Sequence, residues 1–402
     1  MASGPILTAA LVGAGNRGAT HLDTVSRLQR HFRLVGVCDA RSERRDWAAQ
    51  TYGVPVFDHP VGMIEAERPQ VVAVVVPPDA HHLVTAVAAA RGCHVLSETP
   101  VATTLAMADH MIESARRYSV LLEVSENVWR WPQERLKRLV VEQGLIGRVT
   151  QAHVWYTSGS YHGMSAARRF LTGRPVRALG VTQPVEVPPF QDIDGEIQRQ
   201  QAWELGVIEF DDGGRCVYQW PVASDRGNHW EIIGTRGAIM GSDLLLSEGI
   251  GRRQHRRYPI ETIMGRAEDG GETIERVQVA TDPPVVWENP HRSYALPGPD
   301  DVARADIWLG LHPAIVEGRS ATTYGAAART DQELLIAIRE SARLGSVWVD
   351  LPLRDETGLE CQMHDEFRRQ YADPFGDPEA LVGQFFPRPS VAQTAYGTQS
   401  AP

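Results

Sequence analysis

Leu11-Val12-Gly13-Ala14-Gly15-Asn16-Arg17-Gly18 is the stretch on which the fold turns. Its glycines satisfy G-x-G-x-x-G, a pattern that means little alone because glycine serves many turns. Here it follows a short apolar run, Thr8–Val12, and opens a helical stretch from Ala19 to about Arg30. In that setting each glycine has its own task. Gly13 permits the tight turn, Gly15 lets backbone approach a pyrophosphate, and Gly18 lets helix pack on strand. Asn16 and Arg17 lie at the helix start, where unpaired N–H groups and the positive dipole end favour phosphates. About twenty residues on, Asp39 ends a second strand, Leu34–Cys38, where a carboxylate accepts hydrogen bonds from a ribose. A carboxylate there repels a 2′-phosphate, so the loop reads as an NAD site with NADP disfavoured. Arg41 and Arg44 soften that preference, and a solvated loop carboxylate is the alternative reading of Asp39.

Outward from the loop, strand and helix signals alternate. Ser42–Tyr52 reads as a helix. Val71–Val76 is an unbroken apolar run, as in a strand buried on both faces. Helix His82–Arg91, strand His94–Ser97, helix Leu105–Tyr118 and strand Leu121–Val124 complete the series. Such alternation predicts a doubly wound parallel sheet with right-handed crossovers. After Glu126 the pattern changes. A helix, Pro132–Gln143, precedes strand-like runs Val149–Tyr156, Trp203–Phe210, Arg215–Trp220 and His229–Gly234, without helices of crossover length between them. The expected fold is therefore α/β: a Rossmann doubly wound parallel sheet over 1–125, then a C-terminal α+β domain with an open, mostly antiparallel sheet over 126–353. Gly270–Pro299 reads as loop, Asp301–Glu317 and Thr330–Leu344 as helices, and Ser346–Leu351 as a last strand. Residues 354–402 read as an arm or tail, with one helical patch around Cys361–Gln370 and a wrap around a neighbouring subunit as one option.

The 402 residues exceed one ordinary core, and 43% hydrophobic content suits a globular protein. A formal net charge of -10, with no block of like charge, argues against nucleic acid or an anionic membrane as partner. Cys38, Cys93, Cys216 and Cys361 lack metal or redox spacing; Cys38 and Cys93 sit beside apolar strand-like runs, so buried thiols are expected there, and a reducing cytoplasm fits. No signal peptide or membrane-spanning apolar stretch is read from the sequence. The run Arg252-Arg253-Gln254-His255-Arg256-Arg257 reads as a solvated basic loop. No metal site is expected, because the histidines lack zinc spacing with carboxylates.

Several further motifs give the chain its resemblance. They are Pro77-Pro78-Asp79-Ala80-His81; Gly92-Cys93-His94-Val95-Leu96-Ser97-Glu98-Thr99-Pro100; Gly144-Leu145-Ile146-Gly147-Arg148-Val149; Ile233-Gly234-Thr235-Arg236-Gly237; and Glu340-Ser341-Ala342-Arg343. With the glycine loop they resemble the Gfo/Idh/MocA family, the glucose–fructose oxidoreductase and inositol 2-dehydrogenase group, from about Thr8 to Leu351. The resemblance implies a sugar-like or cyclitol substrate between the two domains, and a homodimer or homotetramer through the outer face of the second sheet. It also places Pro77, His81, Glu98, Thr99 and Pro100 along the cofactor pocket, with a cis bond as one way for Pro100 to set the turn.

Two departures bear on chemistry. Relatives carry Glu-Lys-Pro where this chain has Glu98-Thr99-Pro100, and their lysine helps carry the substrate's proton. Threonine is neutral and too short for that task. The family's aspartate close to a histidine is also absent from Gly159–Leu171, although His162 survives. Histidine titrates near neutrality without help, so His162 is the first candidate base. Tyr161 is the second, if a neighbouring cation acidifies its phenol. Packing roles compete with both. Asn127 and Arg130, at the domain junction, are expected to contact substrate. Arg168 suits an anionic group on it. Three functions follow in order: an NAD-dependent oxidoreductase acting on a secondary hydroxyl of a sugar, cyclitol or glycoside; a redox-neutral glycosidase or lyase with resident NAD; and a non-catalytic NAD-binding sensor or scaffold.

Overall fold

The computed structural model describes residues 4–155, 160–191, 197–220, 228–249, 255–318 and 325–387. The first unit runs β1 (Leu7–Val12), α1 (Asn16–Arg27), β2 (Phe32–Cys38), α2 (Ser42–Tyr52), β3 (Val56–Phe57), α3 (Pro60–Glu67), β4 (Val71–Val74), α4 (His81–Ala90), β5 (His94–Ser97), α5 (Leu105–Arg117) and β6 (Leu122–Val124). Its strands pair in the order β3-β2-β1-β4-β5-β6, all parallel. This is the doubly wound arrangement expected above. Every residue of β4 is buried, because helices cover both faces of the sheet. Strand order reverses between β1 and β4, and a crevice opens at the carboxyl ends of such neighbours.

The second unit begins with α6 (Pro132–Glu142), β7 (Val149–Trp155) and α7 (Ser160–Arg168). Strands follow as β8 (Pro175–Gln191), β9 (Ile197–Phe210), β10 (Arg215–Trp220), β11 (His229–Gly234), β12 (Gly237–Met240), β13 (Asp243–Ser247), β14 (His255–Arg266), β15 (Glu272–Val279) and β16 (Val285–Glu288). Helices α8 (Pro299–Val316) and α9 (Gly325–Arg343), strand β17 (Val349–Asp350), and helices α10 (Gly358–Gln370) and α11 (Pro378–Leu381) complete it. The sheet order is β16-β15-β14-β13-β12-β11-β7-β10-β9-β8-β17. Among the described residues of this sheet, only β7 and β10 pair in parallel. Along β9, Glu204, Gly206, Ile208 and Phe210 are buried, while Trp203, Leu205, Val207 and Glu209 are half-buried. That period of two puts the first set under α9. A Cβ on Gly206 would lie 2.4 Å from Ile338 Cδ1, and one on Gly180 1.8 Å from Ile338 O, so glycine is what lets α9 sit this close.

Three expectations are corrected. Gly270–Pro299 is not one loop: β15 and β16 occupy much of it, their prolines falling between strands where no ladder donor is needed. Of the basic run, residues 252–254 lie outside the described ones, and His255–Arg257 begin β14 rather than a loop. The segment after Arg354 is no free arm as far as residue 387, because it folds back on the first unit. Glu360 accepts the Leu105 N–H at 2.7 Å, His364 meets Thr104 Oγ1 at 2.8 Å, and Pro374 O meets His82 Nε2 at 2.9 Å. Polar composition concealed that packing because Phe367, Leu381, Val382 and Phe386, the residues it buries, are widely spaced.

Among the described residues, no helix is long and apolar enough to cross a membrane, and no group of three His, Cys, Asp or Glu could hold a metal. Cys38, Cys93 and Cys216 are buried, and Cys361 is exposed.

Candidate active site

The glycine loop is built as its spacing demands. Gly13 has φ 100°, and a Cβ there would meet Val75 O at 2.1 Å. A Cβ on Gly18 would lie 2.0 Å from Gly13 O. Gly15 differs: the nearest atom to its Cβ position is Arg41 Nη2, at 3.8 Å. Packing requires the outer two glycines, whereas the middle one leaves open space at the N-terminus of α1. That is the cradle a pyrophosphate needs. Asp39 is 8% exposed. Its Oδ2 accepts the Ala14 N–H at 2.7 Å and its Oδ1 the Arg41 N–H at 2.9 Å, so the carboxylate ties the loop to the end of β2. Arg41 Nε stands 3.6 Å from it, and Asn16 Oδ1 meets Arg44 Nη2 at 3.5 Å. These residues fit a dinucleotide.

Across the crevice, Pro77 precedes a short turn, Pro78–Ala80, that leads into α4. His81 is fully buried, with Nδ1 at 2.9 Å from Pro100 O and Nε2 at 2.9 Å from Val76 O. It laces the β4 turn to the Thr99–Pro100 peptide, which is cis.

Glu98, 7% exposed, is the hub beside that peptide. Its Oε1 accepts from Arg17 Nε at 2.7 Å and lies 2.7 Å from His21 Nε2. Its Oε2 accepts from the Thr99 N–H at 2.9 Å and the Thr99 hydroxyl at 3.2 Å. Burial opposes its charge, but Arg17, His21 and the Thr99 N–H outweigh burial and hold the carboxyl well below the usual range. Thr99 thus turns its hydroxyl back onto Glu98. Arg17 also reaches Asp300 Oδ2 at 3.1 Å. Asp300 in turn accepts from Trp131 Nε1 at 2.9 Å, Arg304 Nη1 at 2.8 Å and Asn127 Nδ2, joining both units around one carboxylate.

His162, on α7, stands with Nδ1 at 3.0 and 2.9 Å from the two oxygens of Glu126, which follows β6. Glu126 is wholly buried and also accepts the Val128 N–H at 3.0 Å, while the His162 side chain keeps 23% of its surface exposed. Burial disfavours the charged ring, but Glu126 outweighs it. Glu98 adds to the effect and Arg17 subtracts, so the ring's pKa is raised. These long-range influences join the Glu98 hub and the His162–Glu126 pair in one electrostatic site. A ring that donates through Nδ1 to a carboxylate presents Nε2 as its basic nitrogen.

Other sequence candidates fall elsewhere. Tyr161 is 5% exposed and donates to Ala328 O at 3.4 Å. Burial, then Asp331 and Glu126, push its phenol well above the usual value, the reverse of the acidification expected of it. Arg168 is committed to the buried Asp331 through a close ion pair, and Arg130 to Asp306 at 2.8 Å and Glu123 at 3.3 Å. Both arginines answer carboxylates of their own chain, where substrate contacts were expected. Asn127 is 6% exposed beside Glu126 and held by Asp300.

The sequence reading missed Glu126 as partner of His162, and it missed His21 and Asp300 altogether. Only for His21 was a signal available: it lies three residues after Gly18, one turn along a helix whose inner face packs on the sheet.

The chain has counterparts among known proteins. Residues 7–126 match the GFO_IDH_MocA family model, described as an oxidoreductase family with an NAD-binding Rossmann fold. The chain is 35% identical over 123 residues to D-glucoside 3-dehydrogenase of Escherichia coli (strain K12), covering 30% of this chain and 35% of that protein. It is 26% identical over 196 residues to inositol 2-dehydrogenase of Streptomyces avermitilis, covering 44% of this chain and 57% of that one. The matches therefore span about a third to just over half the length of these relatives. A solved levoglucosan dehydrogenase, in complex with NADH and levoglucosan, superposes with a TM-score of 0.67 at 19% identity, over 87% of this chain and 100% of that one. At that identity the likeness shows the fold.

Proposed function

We propose, from the match of residues 7–126 to the GFO_IDH_MocA oxidoreductase family model, that the chain is an NAD-dependent oxidoreductase of a secondary hydroxyl on a sugar, cyclitol or glycoside. The observation that carries the reading is the His162–Glu126 pair, a partly exposed base held by a buried carboxylate at the end of the Rossmann sheet. Bound NAD supplies the hydride acceptor. The chain's own groups do the rest. The loop N–H groups and α1 dipole would hold the phosphates, and Asp39 would receive the adenosine ribose. His162 Nε2 would take the substrate hydroxyl's proton, the hydride acceptor being what NAD would supply. Glu126 keeps the Nδ1 proton in place and stabilises the imidazolium that forms. Arg17 and Asp300 brace Glu98 and Asn127 beside this base. With Arg130 and Arg168 engaged internally, and Glu98, Glu126 and Asp300 near the base, the site favours a neutral polyol over an anionic substrate.

Freshly purified protein, followed by absorbance with a panel of sugars, cyclitols and aryl glycosides, tests this. NADH that accumulates with one neutral substrate is expected. Aglycone released without net NADH would replace the reading with a redox-neutral one, and NAD binding without any turnover would replace it with a sensor. Asp39→Ala is expected to raise the NAD dissociation constant about tenfold or more, as loss of a charge-assisted hydrogen bond does.

A second copy of the chain is the partner this reading expects. Leu179, Val207, Val217 and His153 are half-buried neighbours in one row across β8, β9, β10 and β7, on the face away from α9. Val181, Leu205, Gln219 and Trp155 form the next such row. If this face joins subunits, Val207→Glu lowers the mass measured by light scattering.

A further inference from the structure

Behind Glu98 lies a buried arrangement that the proposed chemistry does not use. Trp308, on α8 and 1% exposed, places its indole Nε1 3.2 Å from Nδ1 of His21, which is fully buried on α1. His21 Nε2 lies 2.7 Å from Glu98 Oε1. Indole nitrogen only donates. Nδ1 must therefore accept, which puts the ring's single proton on Nε2, facing the carboxylate. An imidazolium would set two N–H groups against each other at Nδ1. The charged groups around the ring are Glu98 beyond β5, Arg17 on its own helix and Arg304 on α8. The two arginines oppose a positive ring, and so does its burial.

We propose that Trp308 and His21 are positioning residues: a buried relay in which the indole N–H locks one tautomer of His21, which in turn holds Glu98 as an oriented, charged acceptor beside the cofactor crevice. The tautomer argument stands on geometry alone, and only the effect on cofactor binding rests on the function proposed above. The relay crosses from the second unit into the first, so a residue of α8 sets a group of the glycine-loop region. It also explains why an otherwise apolar contact, with Trp308 edge-on to Phe32 at 5.1 Å between ring centres, carries a histidine.

The test is 15N-histidine NMR of the full chain without cofactor, with His21→Gln assigning the resonance by its loss. The wild-type ring is expected neutral and Nε2-protonated from pH 7 to 9. In Trp308→Phe the lock is gone, so His21 is expected to take up its proton at a higher pH than in the wild type. NAD binding is then expected to weaken about fivefold, the effect of one hydrogen bond. His21→Gln keeps a donor near the Nε2 position and should bind NAD within about twofold of wild type. His21→Leu should lose about tenfold or more. A merely structural role would lower the melting temperature in all three variants without moving the tautomer or ranking Gln above Leu. An Nδ1-protonated or charged ring in the wild type overturns the relay, and so does an unchanged His21 titration in Trp308→Phe. Wild-type protein that fails to bind NAD overturns the cofactor reading instead, while the tautomer still decides the relay.

Discussion

His21–Glu98, in the glycine-loop region, and His162–Glu126, where α7 meets the end of β6, are ion-pair geometries of nearly equal length, 2.7 and 2.9 Å. Their histidines nevertheless shift in opposite directions, His21 down and His162 up. Burial disfavours charge in both, so proximity to a carboxylate does not explain the difference. Glu98 shares its charge with Arg17, and His21 also receives the Trp308 N–H on its other nitrogen. Besides His162, Glu126 accepts the backbone N–H of Val128 and, among the described residues, pairs with no arginine, so more of its charge bears on that ring. A carboxylate already answered by arginine does not charge a histidine, whereas one answered by backbone does.

The comparison can be broken by substitution. His162→Ala should lower kcat by about 10²–10⁴-fold, the range a positioned general base supplies. Full turnover in that variant would move the chemistry elsewhere. Glu126→Gln comes next. It keeps the shape, removes the charge and lets the His162 pKa fall. The rising limb of kcat/KM against pH should then move to lower pH, on a plateau reduced about tenfold or more. A limb that stays in place would mean that Glu126 is not what raises the ring. Glu98→Gln should shift that limb in the same direction but less, because Glu98 acts on His162 from a distance. It should also lower the melting temperature, since Arg17 is left without its closest partner.

The smallest effect separates the two pairs most directly. Because the folded pKa of His162 is raised, its stabilisation is fully present below about pH 6.5 and is lost as pH rises through the folded value. Because that of His21 is lowered, its neutral ring stabilises above about pH 6.5, and this is lost as pH falls through the folded value. The melting-temperature deficit of His162→Gln should therefore shrink as pH rises, and that of His21→Gln should shrink as pH falls. Each change should be a few degrees. Slopes of the same sign would show that the two environments are alike after all.

What the sequence determined by itself was local. The glycine spacing, the unbroken run at Val71 and the alternation of elements specify a Rossmann sheet because each unit folds within some thirty residues. Asp39 was likewise legible, since its distance from the loop is set by one strand and one helix. The second sheet was half legible. Regular alternation exposed β7, β9, β10 and β11, whereas the prolines of β8, the polar face of β15 and the prolines flanking the short β16 hid those strands. Only the tertiary structure decided the site. His162 and Glu126 are 36 residues apart, and Trp308 lies 287 from His21. No periodicity links such positions, and their ionisation depends on which arginine or backbone group reaches each carboxylate first. Tyr161, Arg130 and Arg168 looked functional by residue type and place. Burial and the chain's own carboxylates claimed them, because a charge or phenol in a packed interior is answered by whatever the fold brings within reach.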